Sequence, residues 1–179
     1  MRTIYLIRHC KAYGQETDAD LTSEGYKQSE ILSQWLSDKG ITQIYASPYL
    51  RAIKSVQIFS DLYKIPIRID SRLRERVLSS WDLPDWVDKL KATFEDHNLW
   101  FEGGESSIEA AKRGLEVINE ALIKQEETVA LVTHGNLLAL MIGNYHKDFG
   151  FEDWKAMSNP DVYVLKIDQG KSNIERIWK

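Results

Sequence analysis

The chain has 179 residues, 43% of them apolar, and a formal net charge of −4. That length and apolar share fit one domain with a sizeable core and exclude an intrinsically disordered chain. The acidic balance excludes a general nucleic-acid binder, which needs a basic face, yet leaves room for a small anionic substrate met by a few arginines in a cleft.

The single cysteine excludes an internal disulfide and fits a reducing compartment. The sequence shows no signal-peptide pattern and no apolar run of membrane-spanning length, so a cytoplasmic chain without membrane contact is expected.

Thr3 to Ile7 is β-branched and aromatic and predicts a buried strand, which breaks at Arg8-His9-Cys10-Lys11 into a polar stretch with Gly14. Thr22 is a candidate N-cap for a helix carrying Ile31, Leu32, Trp35 and Leu36, stopped at Lys39-Gly40. Ile41 to Ala46 predicts a second strand, ending at Ser47-Pro48. A helix follows through Leu50, Ile53, Val56, Phe59 and Leu62 and stops before Pro66; Ile67 to Ile69 is a short third strand.

The next stretch is aromatic and irregular, with Asp82 a cap candidate for a helix starting near Pro84. Gly103-Gly104 breaks it. Ser106 and Glu109 have the spacing of a capping box, opening a helix to about Gln125. Thr128 to Val132 predicts a fourth strand, ending in Thr133-His134-Gly135-Asn136 before an apolar helix to Tyr145. Val162 to Ile167 and Ile174 to Trp178 predict two final strands. Alternating helices and unbroken apolar strands imply an α/β fold, a mostly parallel sheet covered on both faces.

In such sheets ligands bind at the carboxyl ends of the strands. Three predicted strand ends carry the same chemistry: Arg8-His9, Ser47-Pro48 with Arg51 just beyond, and His134. Two arginines and two histidines on one sheet edge are costly unless an anion neutralises them. Phosphate suits guanidinium forks and helix N-termini. Glu75 would supply the acid that a phosphate ester needs; an isolated glutamate is also commonly a solvated surface charge.

These segments resemble the histidine phosphatase superfamily, also called phosphoglycerate mutase-like. Arg8-His9 is similar to its Arg-His-Gly signature, and Leu21-Thr22-Ser23-Glu24-Gly25 with Gln28 to the opening of its first helix. Ser47-Pro48-Tyr49-Leu50-Arg51-Ala52, Leu73-Arg74-Glu75, Gly103-Gly104-Glu105-Ser106 and Thr133-His134-Gly135 match further motifs in order. Two departures stand out: Cys10 replaces the glycine after the first histidine, and Ser79-Ser80-Trp81-Asp82-Leu83 keeps only a tryptophan and an acid of the family's Gly-x-Trp-Glu-Gly.

The resemblance implies a three-layer α/β/α sandwich, one domain over residues 1–179 with a small substrate-cap segment at about 76–104. It implies that His9 is the nucleophile, Glu75 the proton donor and base, and Arg8, Arg51 and His134 the groups that hold the phosphoryl oxygens. Ser47, Asn136, Cys10 and Trp81 are further candidates on the substrate side; Ser47 and Asn136 can equally cap helices. The implied ligand is a small phosphorylated substrate, with no metal and no cofactor. Hydrolysis of a phosphomonoester is favoured over mutase-type transfer because the chain is short, and a non-catalytic phosphate-binding module of the same fold is the third alternative. A cysteine phosphatase is excluded because Glu16 stands six residues after Cys10, where that chemistry needs arginine. His97 and His146 lack metal-ligand spacing. Oligomeric state has no signature in the sequence.

Overall fold

A computed structural model describes residues 1–124 and 127–178. In chain order it contains β1 (Arg2–Arg8), α1 (Ser23–Leu36), β2 (Gln43–Ala46), α2 (Leu50–Tyr63), β3 (Ile67–Ile69), a 3-10 turn (Ser71–Leu73), α3 (Trp86–Glu95), α4 (Ser107–Ile123), β4 (Thr128–Thr133), α5 (Gly135–Gly143), α6 (Phe151–Lys155), β5 (Asp161–Asp168) and β6 (Lys171–Arg176). The expected end of α4 at Gln125 falls outside the described residues.

The strands form one sheet in the order β3-β2-β4-β1-β5-β6. β3, β2, β4 and β1 are mutually parallel; β5 is antiparallel to β1, and β6 to β5. Alternate residues of β1 serve opposite faces, which is why the strand reads as unbroken apolar sequence. Ile4 and Leu6 pack with residues of α4 and α5, such as Ile118 and Leu138, whereas Tyr5 and Ile7 pack with residues of α1 and α2, such as Leu32 and Phe59. The three-layer α/β/α arrangement follows directly.

Local chemistry sets the helix ends. Thr22 accepts from the Gly25 N–H and caps α1, and Ser106 with Glu109 forms the expected capping box of α4. Two expectations need correction, and one helix is an addition. α3 begins at Trp86 with Asp85 as its N-cap, not near Pro84 with Asp82 as its cap, because Leu83 to Trp86 closes a turn in which Pro84 holds the second position. α6, after Gly150, was not foreseen. β6 starts at Lys171 because Gln169 and Gly170, both at positive φ, make a two-residue hairpin turn from Asp168.

Among the described residues no helix is long and apolar enough to cross a membrane.

Candidate active site

The parallel pairing brings three strand ends to one edge of the sheet. Arg8 is paired with Thr133, and the His9 N–H continues the ladder to the Thr133 carbonyl at 3.0 Å. The Ser47 N–H donates to the Val132 carbonyl at 2.9 Å. His9 and His134 therefore stand side by side, ring centroids 5.1 Å apart. Arg51, in the first turn of α2, reaches the His9 ring with its guanidinium stacked over the Tyr49 ring.

The His9 ring is held in one tautomer. Its Nδ1 lies 2.6 Å from the Cys10 carbonyl, which can only accept, and its Nε2 lies 3.2 Å from Arg51 Nε, which can only donate. Nδ1 therefore carries the proton, and Nε2 presents a lone pair. Burial pushes the His9 imidazole down to about 3, with the charges of Arg51 and Arg8 adding to the effect against the pull of the Cys10 carbonyl. The ring is neutral at neutral pH. Asn159, invisible to motif reading, secures the His9 carbonyl from 150 residues away, Nδ2 to O 2.7 Å.

Burial also holds His134 well below its ordinary value, and the nearby His9 and Arg51 contribute. Its Nε2 is 2.7 Å from Ser47 Oγ, which accepts from the Tyr49 N–H at 3.2 Å. Ser47 thus serves both the turn into α2 and the orientation of His134.

Arg8 points along the sheet edge. Its Nη1 donates to the carbonyls of Met157 and Ser158, at 3.0 and 3.4 Å. Its guanidinium presses on Gly135, where a Cβ would lie 3.0 Å from Cζ, so this glycine makes room for the arginine. Arg51 anchors the polar loop after β1 through the carbonyls of Gln15 and Glu16, at 3.2 and 2.8 Å.

Glu75 follows the 3-10 turn in a segment without regular periodicity. Its carboxylate accepts from the N–H groups of Arg76, Asn136 and Leu137 at 2.8 to 3.1 Å. It therefore caps the start of α5, whose own N-cap, His134, makes no side-chain cap bond. The Glu75 segment is clamped from behind. Arg113 donates to the carbonyls of Arg74 and Glu75, and Thr133 Oγ1 donates to that of Leu73. Arg113 also forks onto the Glu105 carboxylate at 2.7 and 2.9 Å. Burial opposes the charge on Glu105, but Arg113 and the Val77 N–H hold it below the usual carboxylate range. The Gly103-to-Ser106 turn is thus the scaffold of the Glu75 segment.

Cys10 and Trp81 lie outside this cluster. The Cys10 side chain is fully enclosed in the core with Ile7, Leu21, Ala52 and Val162. Burial pushes its thiol up to about 12, so it stays neutral. Only its backbone serves the site: its carbonyl holds His9, and its N–H donates to Ser55 Oγ at 2.8 Å. Trp81 is 65% exposed.

Among the described residues, four buried side-chain polar atoms have no partner: Arg8 Nε, His134 Nδ1, Asn136 Nδ2 and Ser33 Oγ. Three of the four belong to the cluster around His9. Buried polar groups are ordinarily paired, so this concentration marks a cluster of donors suited to an oxyanion.

The two neutral imidazoles make the fold acid-sensitive. Unfolded histidine titrates at ~6.5, whereas folded His9 does so at about 3. Between those values the unfolded chain binds the extra proton, so the stability present above ~6.5 is lost as pH falls towards about 3. Thermal melts of wild type and His9→Gln should show wild type losing stability faster than the variant from pH 7 to pH 4. Parallel curves would contradict a neutral buried His9.

The sequence matches the family described as the histidine phosphatase superfamily (branch 1) over residues 4–179. It is 26% identical over 195 residues to a putative phosphoserine phosphatase 2 of Hydrogenobacter thermophilus, covering 97% of this chain and 94% of that one. It is 27% identical over 159 residues to a probable phosphoglycerate mutase GpmB of Erwinia tasmaniensis, covering 79% and 74%. The solved structure of Bacillus stearothermophilus YhfR superposes with a TM-score of 0.80 at 26% identity, covering 98% of this chain and 96% of that one.

Proposed function

The chain belongs to the histidine phosphatase superfamily, and within it we propose that this protein is a phosphomonoester hydrolase working through a phosphohistidine at His9 on a small phosphorylated metabolite. The observation that carries this reading is the His9 ring itself. It is neutral, locked with its lone pair on Nε2, and set beside donors that have no partner among the described residues.

The chemistry follows from the geometry. Nε2 attacks phosphorus as the ester P–O bond breaks, and Arg51 exchanges its bond to Nε2 for the phosphoryl oxygens. Arg8 contributes its unpartnered Nε. When Ser47 donates to His134 Nε2, the His134 proton sits on Nδ1 and becomes a further donor. These groups stabilise charge as it develops on the transferring phosphoryl group. The Nδ1–H of His9 stays on the Cys10 carbonyl, which offsets the positive charge of the phosphorylated ring. Glu75 gives a proton to the leaving oxygen. Water then attacks phosphorus and returns a proton to Glu75 as the N–P bond breaks, freeing inorganic phosphate and neutral His9. Side-chain cations supply the positive charge, so the reaction runs without a divalent metal.

Hydrolysis is favoured over mutase-type transfer because only the 10-residue α3 and its flanking loops join the Glu75 segment to α4, a short stretch of chain with which to close over a phosphoenzyme. The buried free thiol of Cys10 fits a reducing, cytoplasmic setting.

The test is phosphate release from p-nitrophenyl phosphate, phosphoserine and 3-phosphoglycerate with a chelator present. Release at undiminished rate is expected. A strict need for added metal, or isomerisation of phosphoglycerate without phosphate release, would overturn the reading. Phosphate binding with no turnover of any ester would point to the binding module.

A further inference from the structure

Arg76 follows the proposed acid and belongs to none of the motifs in the sequence. It is 5% exposed, and every polar arm of its guanidinium is occupied. Nε and Nη2 both donate to the Glu105 carbonyl, at 3.0 and 2.8 Å. Nη1 donates to Thr93 Oγ1 at 2.9 Å and approaches Asn136 Oδ1 at 3.4 Å. Thr93 Oγ1 in turn donates to the Leu90 carbonyl, so the guanidinium is wedged between α3, the Gly103-to-Ser106 turn and the first turn of α5.

The contact with Asn136 decides the orientation of a carboxamide. A guanidinium has no acceptor, so Oδ1 must face Arg76 and the NH2 must face away from it. That NH2 is buried in a residue 6% exposed and has no partner among the described residues. The same residue donates its backbone N–H to Glu75 Oε2 at 3.1 Å, and the Arg76 N–H donates to Glu75 Oε1 at 2.8 Å. One rigid unit therefore holds the Glu75 carboxylate and the Asn136 carboxamide together. Without Arg76, the amide would be free to turn its oxygen towards an anion and repel it.

We propose that Arg76 is a positioning residue that acts through Asn136, committing Asn136 Nδ2 as a neutral donor to an oxygen of the bound phosphate ester beside Glu75. The inference rests on the hydrolase reading above for its ligand. It adds a specificity element that reads the phosphoryl oxygens without adding charge.

The test is a double-mutant cycle on kcat/KM with p-nitrophenyl phosphate, using Asn136→Ala, Arg76→Met and the double variant, with melting temperatures recorded for each. Each single change should lower kcat/KM roughly tenfold, the worth of one hydrogen bond to a charged group. The double variant should be no worse than either single one, because Arg76 has nothing left to position. A role in packing alone would make the losses multiply to roughly a hundredfold. That result, or an Asn136→Ala variant within twofold of wild type, would overturn the proposal. Should Arg76→Met fail to fold, Arg76→Lys takes its place, and its loss too must vanish in the Asn136→Ala background. If wild type hydrolyses no ester, the hydrolase reading falls separately. The same cycle, read on the dissociation constant for inorganic phosphate by calorimetry, then decides the inference: non-additive weakening supports it, and multiplicative weakening ends it.

Discussion

His9→Ala is expected to lower kcat for phosphate release by roughly 10⁴-fold or more, the scale seen when a covalent nucleophile is removed. Among the described residues, neither Cys10 nor His134 can replace it. Cys10 is enclosed in the core as a neutral thiol. The His134 Nε2 is taken by Ser47. Folding should survive, because the substitution removes a neutral ring at the edge of the sheet and leaves the carbonyl anchors of Arg8 and Arg51 and the Ser47 contact of His134 in place. The variant should still bind inorganic phosphate through those donors. A His9→Ala protein that retains activity within tenfold of wild type would remove His9 from the nucleophile's role.

Glu75→Gln should separate the two halves of the reaction. The amide keeps the carboxylate's shape but cannot give up a proton to a leaving oxygen. For an alkyl phosphate, whose alkoxide is a poor leaving group, kcat/KM should fall by roughly 10² to 10⁴-fold, the usual reach of general acid catalysis. For p-nitrophenyl phosphate the phenolate leaves without help, so kcat/KM should fall far less. Breakdown of the phosphoenzyme also loses its base, so the aryl substrate should show a burst of nitrophenolate followed by slow turnover. Equal loss of kcat/KM for both esters would rule out Glu75 as the acid. Part of any loss will be structural, since the new NH2 must face some of the N–H donors of Arg76, Asn136 and Leu137. The leaving-group comparison cancels that part, because it is common to both substrates.

What could be read in advance follows the range of each interaction. Arg8, His9, Arg51 and His134 were legible because each stands at or just beyond the end of an apolar run, and parallel strands carry their ends to one edge. The Thr22 and Ser106 caps were legible because their partners lie three residues away. Long-range contacts were not. Asn159 reaches the His9 carbonyl across 150 residues, and Arg113 clamps Arg74 and Glu75 across nearly 40. Nothing in the local pattern marks either. The direction of β5 was equally hidden, since a strand buried on both faces reads alike in either sense. Cys10 is the clearest case. The chain has left the β-strand by that point, so alternation no longer tells which way a side chain turns, and the thiol enters the core while its carbonyl holds the His9 ring.

The most direct measurement is the state of His9 during turnover. Protein quenched in base after mixing with a ³²P-labelled ester should carry label that is stable to base and lost in acid, with peptide mapping placing it on His9. It should be absent from His9→Ala and accumulate in Glu75→Gln. Wild type that releases phosphate while no label can be trapped on His9, or label that persists in His9→Ala, would contradict the proposed route through a phosphohistidine.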